Sequence, residues 1–326
     1  MNPKMLTSEA SDYLNISLPG LHKQLKSKNL EYTKNKNKLY FSHETAKEIF
    51  KLDLNPTCIS WQNLKGGVGK THISFSVAIR LCLYGAKVAL IDIDPQGNCT
   101  SACGIDAEDK PVLIDIITQK LNILDCMCEV VPGLDLLPSR IDNVVLDNVF
   151  AINGLPVDKE IKKRTEILKE NYDFVFIDCP SSLGQTVTSA CLSVDHILIP
   201  CDPEKFSLSG VNITLNEIEK NIADKYDKKF DIKILLNKFD GRTSLSHSTL
   251  SKLHSEDKYK TKTLKSFVRT SQEFPNAIDK GKTIYDPLKN STAKEDIDLL
   301  ARELIDMAKK DKIIAPEPDN LVLESI

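Results

Sequence analysis

The sequence predicts an α/β protein in which a mostly parallel β-sheet is flanked by helices and preceded by a small helix-and-hairpin unit. Three observations lead there. A glycine-rich stretch, Lys65-Gly66-Gly67-Val68-Gly69-Lys70-Thr71, stands between an apolar β-prone run and a segment with helical spacing of apolar residues. Downstream, continuous apolar runs of strand length alternate with helical segments, as in βα units whose sheet is covered on both faces. Residues 1–55 differ from the rest in rhythm and in charge.

Composition sets wide bounds. With 326 residues, 41% hydrophobic and 27% charged, the chain can bury a large core and is expected to hold one large domain plus something smaller. No apolar run approaches the roughly 20 residues that span a bilayer, and the N-terminus lacks a signal-peptide core, so a soluble, cytoplasmic protein without membrane partners is expected. Of the nine cysteines, only Cys99/Cys103 and Cys126/Cys128 are close in sequence, and neither spacing belongs to a common zinc site. Reduced, mostly buried thiols are expected. The net charge of −3 conceals an asymmetry: residues 1–55 hold nine lysines against six acids, a balance of +3, which leaves −6 for the remainder. Nucleic-acid contact is therefore expected to be local.

The first unit reads as residues 1–55. Ala10, Tyr13 and Leu14 give a first helix, Asn15-Ile16-Ser17 a turn, and Leu18 to about Lys28 a second helix capped by Ser17, with Pro19 tolerated in its first turn. Two strands, Leu30 to Thr33 and Lys38 to Phe41, flank the polar tip Lys34-Asn35-Lys36-Asn37, and His43 to Phe50 closes as a third helix. The order resembles a winged helix-turn-helix. That resemblance implies DNA contact: His22, Lys23, Gln24 and Lys26 of the second helix in the major groove, and Lys34, Lys36 and Lys38 on phosphates. A small helical cap with solvated lysines is the plainer alternative. Residues 52–56 read as a linker.

The larger unit, residues 56–312, begins with the strand Thr57 to Trp61 and the glycine-rich loop, followed by a helix bearing Ile73, Val77, Leu81 and Tyr84. Such a loop turns its amides inward, and the helix N-terminus adds partial positive charge, so the two form a polyphosphate site. Lys70 would reach the outer phosphates and Thr71 would place its hydroxyl on Mg²⁺. The usual first glycine of this pattern is Leu64 here, and a second lysine, Lys65, precedes the glycine pair. This loop resembles the deviant Walker A loop of the ParA/MinD class of P-loop ATPases. The resemblance implies that Lys65 reaches across a dimer to the partner's nucleotide.

Further signatures follow in order. Lys87 to Ile91 reads as a buried strand running into Asp92 and Asp94, which alternation places on one side of the strand, toward the phosphates. The resemblance makes Asp94 the residue that orients the attacking water and Asp92 a contributor to the Mg²⁺ shell. Val112 to Gln119 reads as a helix, and residues 131–138 as a turn and a short strand. The strand Tyr172 to Ile177 ends at Asp178, a Walker B-like carboxylate suited to hold Mg²⁺ through water. The class usually has a second proline where Ser181 stands. After a strand at His196–Pro200, a helix from Ser209 to about Lys220 and a strand Ile232–Leu236, Asn237 resembles a base-contacting asparagine, with a cap or turn role equally open. The resemblance extends through Phe267-Val268-Arg269-Thr270 and adds Arg269 to the ATP-binding set together with Gly66, Gly67, Val68 and Gly69. His72 stands where the class has a second threonine at the α-phosphate. Lys252, Lys258, Lys260 and Lys262 form a candidate surface for nonspecific DNA, with a merely solvated face as the alternative, and residues 313–326 read as an acidic, flexible tail.

Together these features lead to an expected function: a ParA-type partition ATPase using ATP and Mg²⁺, forming a homodimer in the ATP state, binding DNA nonspecifically and at an operator, and stimulated by a ParB-type partner. Nucleoid association in the cytoplasm would follow. The alternatives are an ATP-switched transcriptional regulator and a MinD-like or cargo-positioning ATPase.

Overall fold

The computed structural model describes residues 1–204 and 207–310; the tail expected at 313–326 lies outside them. The chain starts with strand β1 (Met5–Leu6) and helix α1 (Thr7–Tyr13). Helix α2 (Leu18–Ser27) opens on Ser17, whose hydroxyl accepts from the Gly20 amide at 3.2 Å, the predicted cap. Leu21 and Leu25 turn inward, while Lys23, Gln24 and Lys26 remain exposed. Strands β2 (Thr33–Asn35) and β3 (Lys38–Phe41) form the hairpin, and β1 adds antiparallel to β3. The first hairpin strand lies later than expected. Lys34 and Asn35 belong to it, and the turn is only Lys36-Asn37, with Lys36 at φ 51°, the positive φ that a two-residue hairpin turn requires at its first position. Helix α3 spans His43–Phe50.

Eight strands then build one sheet: β4 (Thr57–Trp61), β5 (Val88–Asp92), β6 (Cys128–Val131), β7 (Leu134–Leu137), β8 (Phe174–Asp178), β9 (His196–Cys201), β10 (Asp231–Phe239) and β11 (Thr263–Arg269). Their order is β11-β10-β9-β4-β8-β5-β7-β6, and only the β6–β7 pairing is antiparallel. The apolar runs are buried on both faces. Phe174 and Phe176 enter one core and Val175 and Ile177 the other; Val88 and Leu90 separate from Ala89 and Ile91 in the same way. Helix α4 (Lys70–Leu83) and the helix Thr292–Ala308 cover the first face, while Gln185–Ser193 and Ser244–Ser255 are among the helices on the second. Strand β6, a hairpin partner of β7 around Pro132-Gly133, had no sequence signal strong enough to announce it. The helix expected from Ser209 runs Ser207–Asn216 and widens into a π-helical turn at Glu217–Ile222.

The N-terminal elements share the first core. Met5, Ala10, Phe41 and Phe50 belong to the same apolar cluster as α4 and the helix Thr292–Ala308. The Tyr84 ring meets Tyr13 at 4.5 Å and Phe50 at 5.0 Å between centroids. Gly85, at φ 86°, lets α3 approach so closely that a Cβ there would lie 2.5 Å from the Lys47 backbone. At the centre is Arg80 of α4, 2% exposed, donating to Asp298 at 2.6 Å and to Glu9 at 3.1 Å. Two carboxylates, one from α1 and one from the helix Thr292–Ala308, thus balance one buried guanidinium.

Removing that cation leaves the partly buried Glu9 carboxylate without its cationic partner and, among the described residues, Asp298 with the Arg302 cation alone, at 2.8 Å. Arg80→Ala is expected to lower unfolding free energy by about 3–5 kcal/mol, read as an earlier urea midpoint. A loss too small to separate the two denaturation curves would show that the junction does not depend on this pair.

Candidate nucleotide-binding site

Adjacent parallel strands bring three chain segments to one edge of the sheet. In register, Trp61 of β4 and Asp92 of β5 both pair with Asp178 of β8. The glycine-rich loop leaves β4 and enters α4 at Lys70. Gly67 and Gly69 take φ 74° and 91°, values that a side chain would strain. Gly69 also gives room to Asn237, whose Nδ2 would lie 2.4 Å from a Cβ at that position. Asn63 fixes the loop's other end: its Nδ2 donates to the Pro200 carbonyl at 2.7 Å, and its Oδ1 accepts from the Lys65 amide at 2.9 Å.

Lys70 is buried, and its ammonium donates to the Asn63 carbonyl at 3.1 Å and to Ser181 Oγ at 2.7 Å. Burial lowers its pKa, with the Asp178 carboxylate working in the opposite direction. Thr71 Oγ1 donates to Asp178 Oδ2 at 2.7 Å and Ser74 Oγ to Asp178 Oδ1 at 3.3 Å. Asp178 is itself buried, and that burial, followed by the facing Asp92 carboxylate, raises its pKa. A buried carboxylate that resists carrying its charge, beside one hydroxyl at a helix N-terminus, suits a divalent ion that keeps most of its waters. Among the described residues no cluster of three or more His, Cys, Asp or Glu could form an all-protein metal cage.

Several expected site residues are placed differently. Strand β5 stops at Asp92, so Asp94 lies in the following turn and the two carboxylates do not project together from one strand face. Asp92 is fully buried and accepts from the Thr100 amide at 2.9 Å, the Thr100 hydroxyl at 2.8 Å and the Asp94 amide at 3.0 Å. Its oxygens organise the turn at the end of β5. Asp94 is half-buried, with its Oδ1 accepting from the Gln96 amide at 3.0 Å. Asn237 lies within β10 rather than beyond a strand, and its Nδ2 donates to the Val68 carbonyl at 2.7 Å. The Arg269 guanidinium is engaged with Asp296 at 2.6 Å, joining β11 to the helix Thr292–Ala308 instead of being aimed at the loop.

Lys65 pairs with Asp202 at 2.8 Å and with Glu204 at 2.6 Å. Partial burial works against its charge, yet the hydrogen bonds it donates to these carboxylates raise its pKa. The His72 imidazole is half-buried; desolvation first and the Lys238 charge second push its pKa down and favour the neutral ring. Asn63, Ser74, Thr100, Asp202 and Lys238, whose Nζ reaches the Gly67 carbonyl at 2.6 Å, carried no sequence signal. Ser181 was visible only as a departure from a proline pattern.

The candidate DNA contacts divide in two. Lys23, Gln24, Lys26, Lys34 and Lys36 are exposed around α2 and the hairpin. A groove of about 550 Å³ there is lined in part by Lys26, Lys34 and Lys38. His22 instead turns its ring to the Thr7 hydroxyl at 3.3 Å, and the Lys38 ammonium is taken by the Leu288 carbonyl. In the second cluster Lys252 and Lys258 are exposed, whereas Lys260 pairs with Asp257 at 2.5 Å and Lys262 with Glu219 at 3.2 Å.

Comparison with known proteins agrees with this geometry. An AAA domain family (AAA_31) matches residues 56–234. The chain is 31% identical over 234 residues to the sporulation initiation inhibitor protein Soj of Bacillus subtilis, covering 70% of this chain and 91% of that protein. It is 31% identical over 219 residues to the chromosome partitioning protein ParA of Caulobacter vibrioides, covering 64% and 80% respectively. The fold is similar to that of a plasmid partition protein from Borrelia burgdorferi bound to AMPPNP, with a TM-score of 0.62 at 20% identity over 78% of this chain and 99% of that one. A fold in common, the matched domain and the Soj and ParA similarity together establish that this chain belongs to the ParA/Soj family of P-loop ATPases.

Proposed function

We propose that the chain is a DNA-partition ATPase that binds ATP with Mg²⁺ at Lys70, Thr71 and Asp178. The observation that carries this reading is the convergence of those three side chains at the sheet edge, with Thr71 bonded to Asp178 at 2.7 Å. Bound Mg²⁺ would neutralise charge on the outer phosphates. Lys70 and the glycine-rich loop hold the polyphosphate, and Asp94 orients the water that attacks the γ-phosphorus. The bond from that phosphorus to the β,γ-bridging oxygen breaks, giving ADP and phosphate. Catalysis of this kind is positioning plus charge stabilisation, and turnover without a partner is expected to be slow, as befits a switch.

Dimerisation enters through Lys65. To reach a partner's nucleotide it exchanges Asp202 and Glu204 for phosphate oxygens, so the ATP state favours the dimer. Such a dimer would hold nonspecific DNA and respond to a ParB-type protein. The exposed Lys23, Gln24 and Lys26 on α2 support a second role in operator binding by a winged helix-turn-helix formed by residues 1–55. Among the described residues no helix is long and apolar enough to cross a membrane.

Three measurements test the reading. Asp178→Asn keeps an acceptor for Thr71 and removes a buried charge. It is expected to raise the melting temperature of the nucleotide-free protein while abolishing the Mg²⁺-dependent part of ATP affinity; an unchanged Mg²⁺ dependence would remove Asp178 from the site. Lys65→Ala is expected to retain ATP binding but to lose ATP-dependent dimers in sedimentation, with hydrolysis falling by at least about tenfold. A variant that dimerises and turns over normally would contradict the assignment of Lys65. Because residues 1–55 share the core, their role is better probed by Lys23→Glu with Lys26→Glu than by deletion. That pair is expected to weaken binding to the chain's own promoter DNA by at least about tenfold relative to unrelated DNA, as residues reading base edges would. Promoter binding at the wild-type affinity would assign α2 to a purely structural role.

A further inference from the structure

The segment after β8 reads Asp178-Cys179-Pro180-Ser181-Ser182-Leu183-Gly184, and both of its ends are fixed. Asp178 is held by Thr71 and Ser74. Gln62, fully buried at the end of β4, donates its Nε2 to the Ser182 carbonyl at 2.9 Å, while its Oε1 has no hydrogen-bond partner. Farther on, Asp147 accepts from the Thr186 amide at 2.8 Å and from the Thr186 hydroxyl at 2.7 Å, and it lies so close to Gly184 that any side chain there would overlap it.

Between these anchors the exposed Ser181 hydroxyl accepts from the Lys70 ammonium at 2.7 Å. It also stands beside the glycine-rich loop, 3.8 Å from where a Cβ on Gly66 would be. It is bonded to the far end of the Lys70 side chain, not to the amides of the loop. Ser181 therefore meets the site where Lys70 ends, at the outer phosphates rather than at the inner ones cradled by the loop. A hydroxyl accepts and donates at once, so an oxygen already accepting from Lys70 can give its proton to a phosphate oxygen without surrendering the lysine.

We propose that Ser181 is a γ-phosphate-binding residue: its hydroxyl bridges the Lys70 ammonium and a terminal oxygen of a bound nucleoside triphosphate, so that Ser181 discriminates ATP from ADP. The anchors at Asp178 and Ser182 keep it within reach. This inference rests on the ATP reading and names a further determinant of that site.

The test is the ratio of ATP to ADP affinity in the full chain with Mg²⁺, measured by calorimetry for wild type, Ser181→Ala and Ser181→Thr. Loss of one hydrogen bond to a charged phosphate is expected to weaken ATP binding about tenfold in Ser181→Ala. ADP affinity should stay level or rise, since Lys70 loses an internal competitor. Ser181→Thr, which keeps the hydroxyl, should retain the wild-type ratio. If Ser181→Ala changes ATP and ADP affinity by the same factor, the hydroxyl only competes for Lys70 and the inference is overturned. A wild-type chain that binds neither nucleotide would overturn the ATP reading itself, a distinguishable failure.

Discussion

The hydrogen bond from Thr71 to Asp178 joins the first turn of α4 to the end of β8, and the organisation of the site depends on it. Asp178 is buried between β4 and β5, where an unbalanced carboxylate is costly. Thr71, Ser74 and the nearby Lys70 charge supply the compensation, and all three come from α4. The consequence is positional. The helix N-terminus, its lysine and the strand-end carboxylate cannot be arranged independently, because each provides part of what makes the others tolerable.

Helix α4 carries that constraint into the rest of the molecule. Lys70 is its first residue, and Arg80 lies about 15 Å farther along the axis at the usual rise per residue. Arg80 is the buried partner of Glu9 in α1 and Asp298 in the helix Thr292–Ala308, and Tyr84 just beyond is packed between Tyr13 and Phe50. One rigid element therefore has the phosphate site at one end and the N-terminal unit at the other. Any adjustment of its first turn is made by a helix whose far end is clamped by ion pairs and aromatic rings. Residues 1–55 are not a tethered module in this arrangement; their core is continuous with that of the sheet.

The fold class and the phosphate site were legible because they are written locally. A glycine-rich loop between a buried strand and a helix, and an aspartate closing a continuous apolar strand, need only neighbours in sequence to be understood. Ser17 was legible for the same reason: a helix cap is local. What could not be read depends on long-range pairing. Arg80 looks like a solvated helix residue until Glu9 and Asp298, from distant parts of the chain, close around it. Asp92 and Asp94 read as neighbours on one strand face, but the strand ends at Asp92, and Thr100 bonds its carboxylate. Arg269 likewise followed a family pattern while Asp296 decided its direction.

The polar groups of the site share one property: each already has an internal partner. Lys65 is paired with Asp202 and Glu204, Lys70 is bonded to Ser181 and the Asn63 carbonyl, and Lys238 to the Gly67 carbonyl. A polyphosphate entering such a site does not fill vacant positive charge; it exchanges one set of hydrogen bonds for another. The net gain per contact is then the difference between a phosphate oxygen and a carboxylate, hydroxyl or carbonyl, far smaller than the strength of either bond alone. That difference is largest where the internal partner is neutral, as at Lys70, and smallest where it is a pair of carboxylates, as at Lys65. The order of exchange follows: Lys70 trades the neutral Asn63 carbonyl for a phosphate oxygen and keeps Ser181, while Lys65 leaves Asp202 and Glu204 only for a site with comparable negative charge, which a triphosphate offers and a diphosphate offers less.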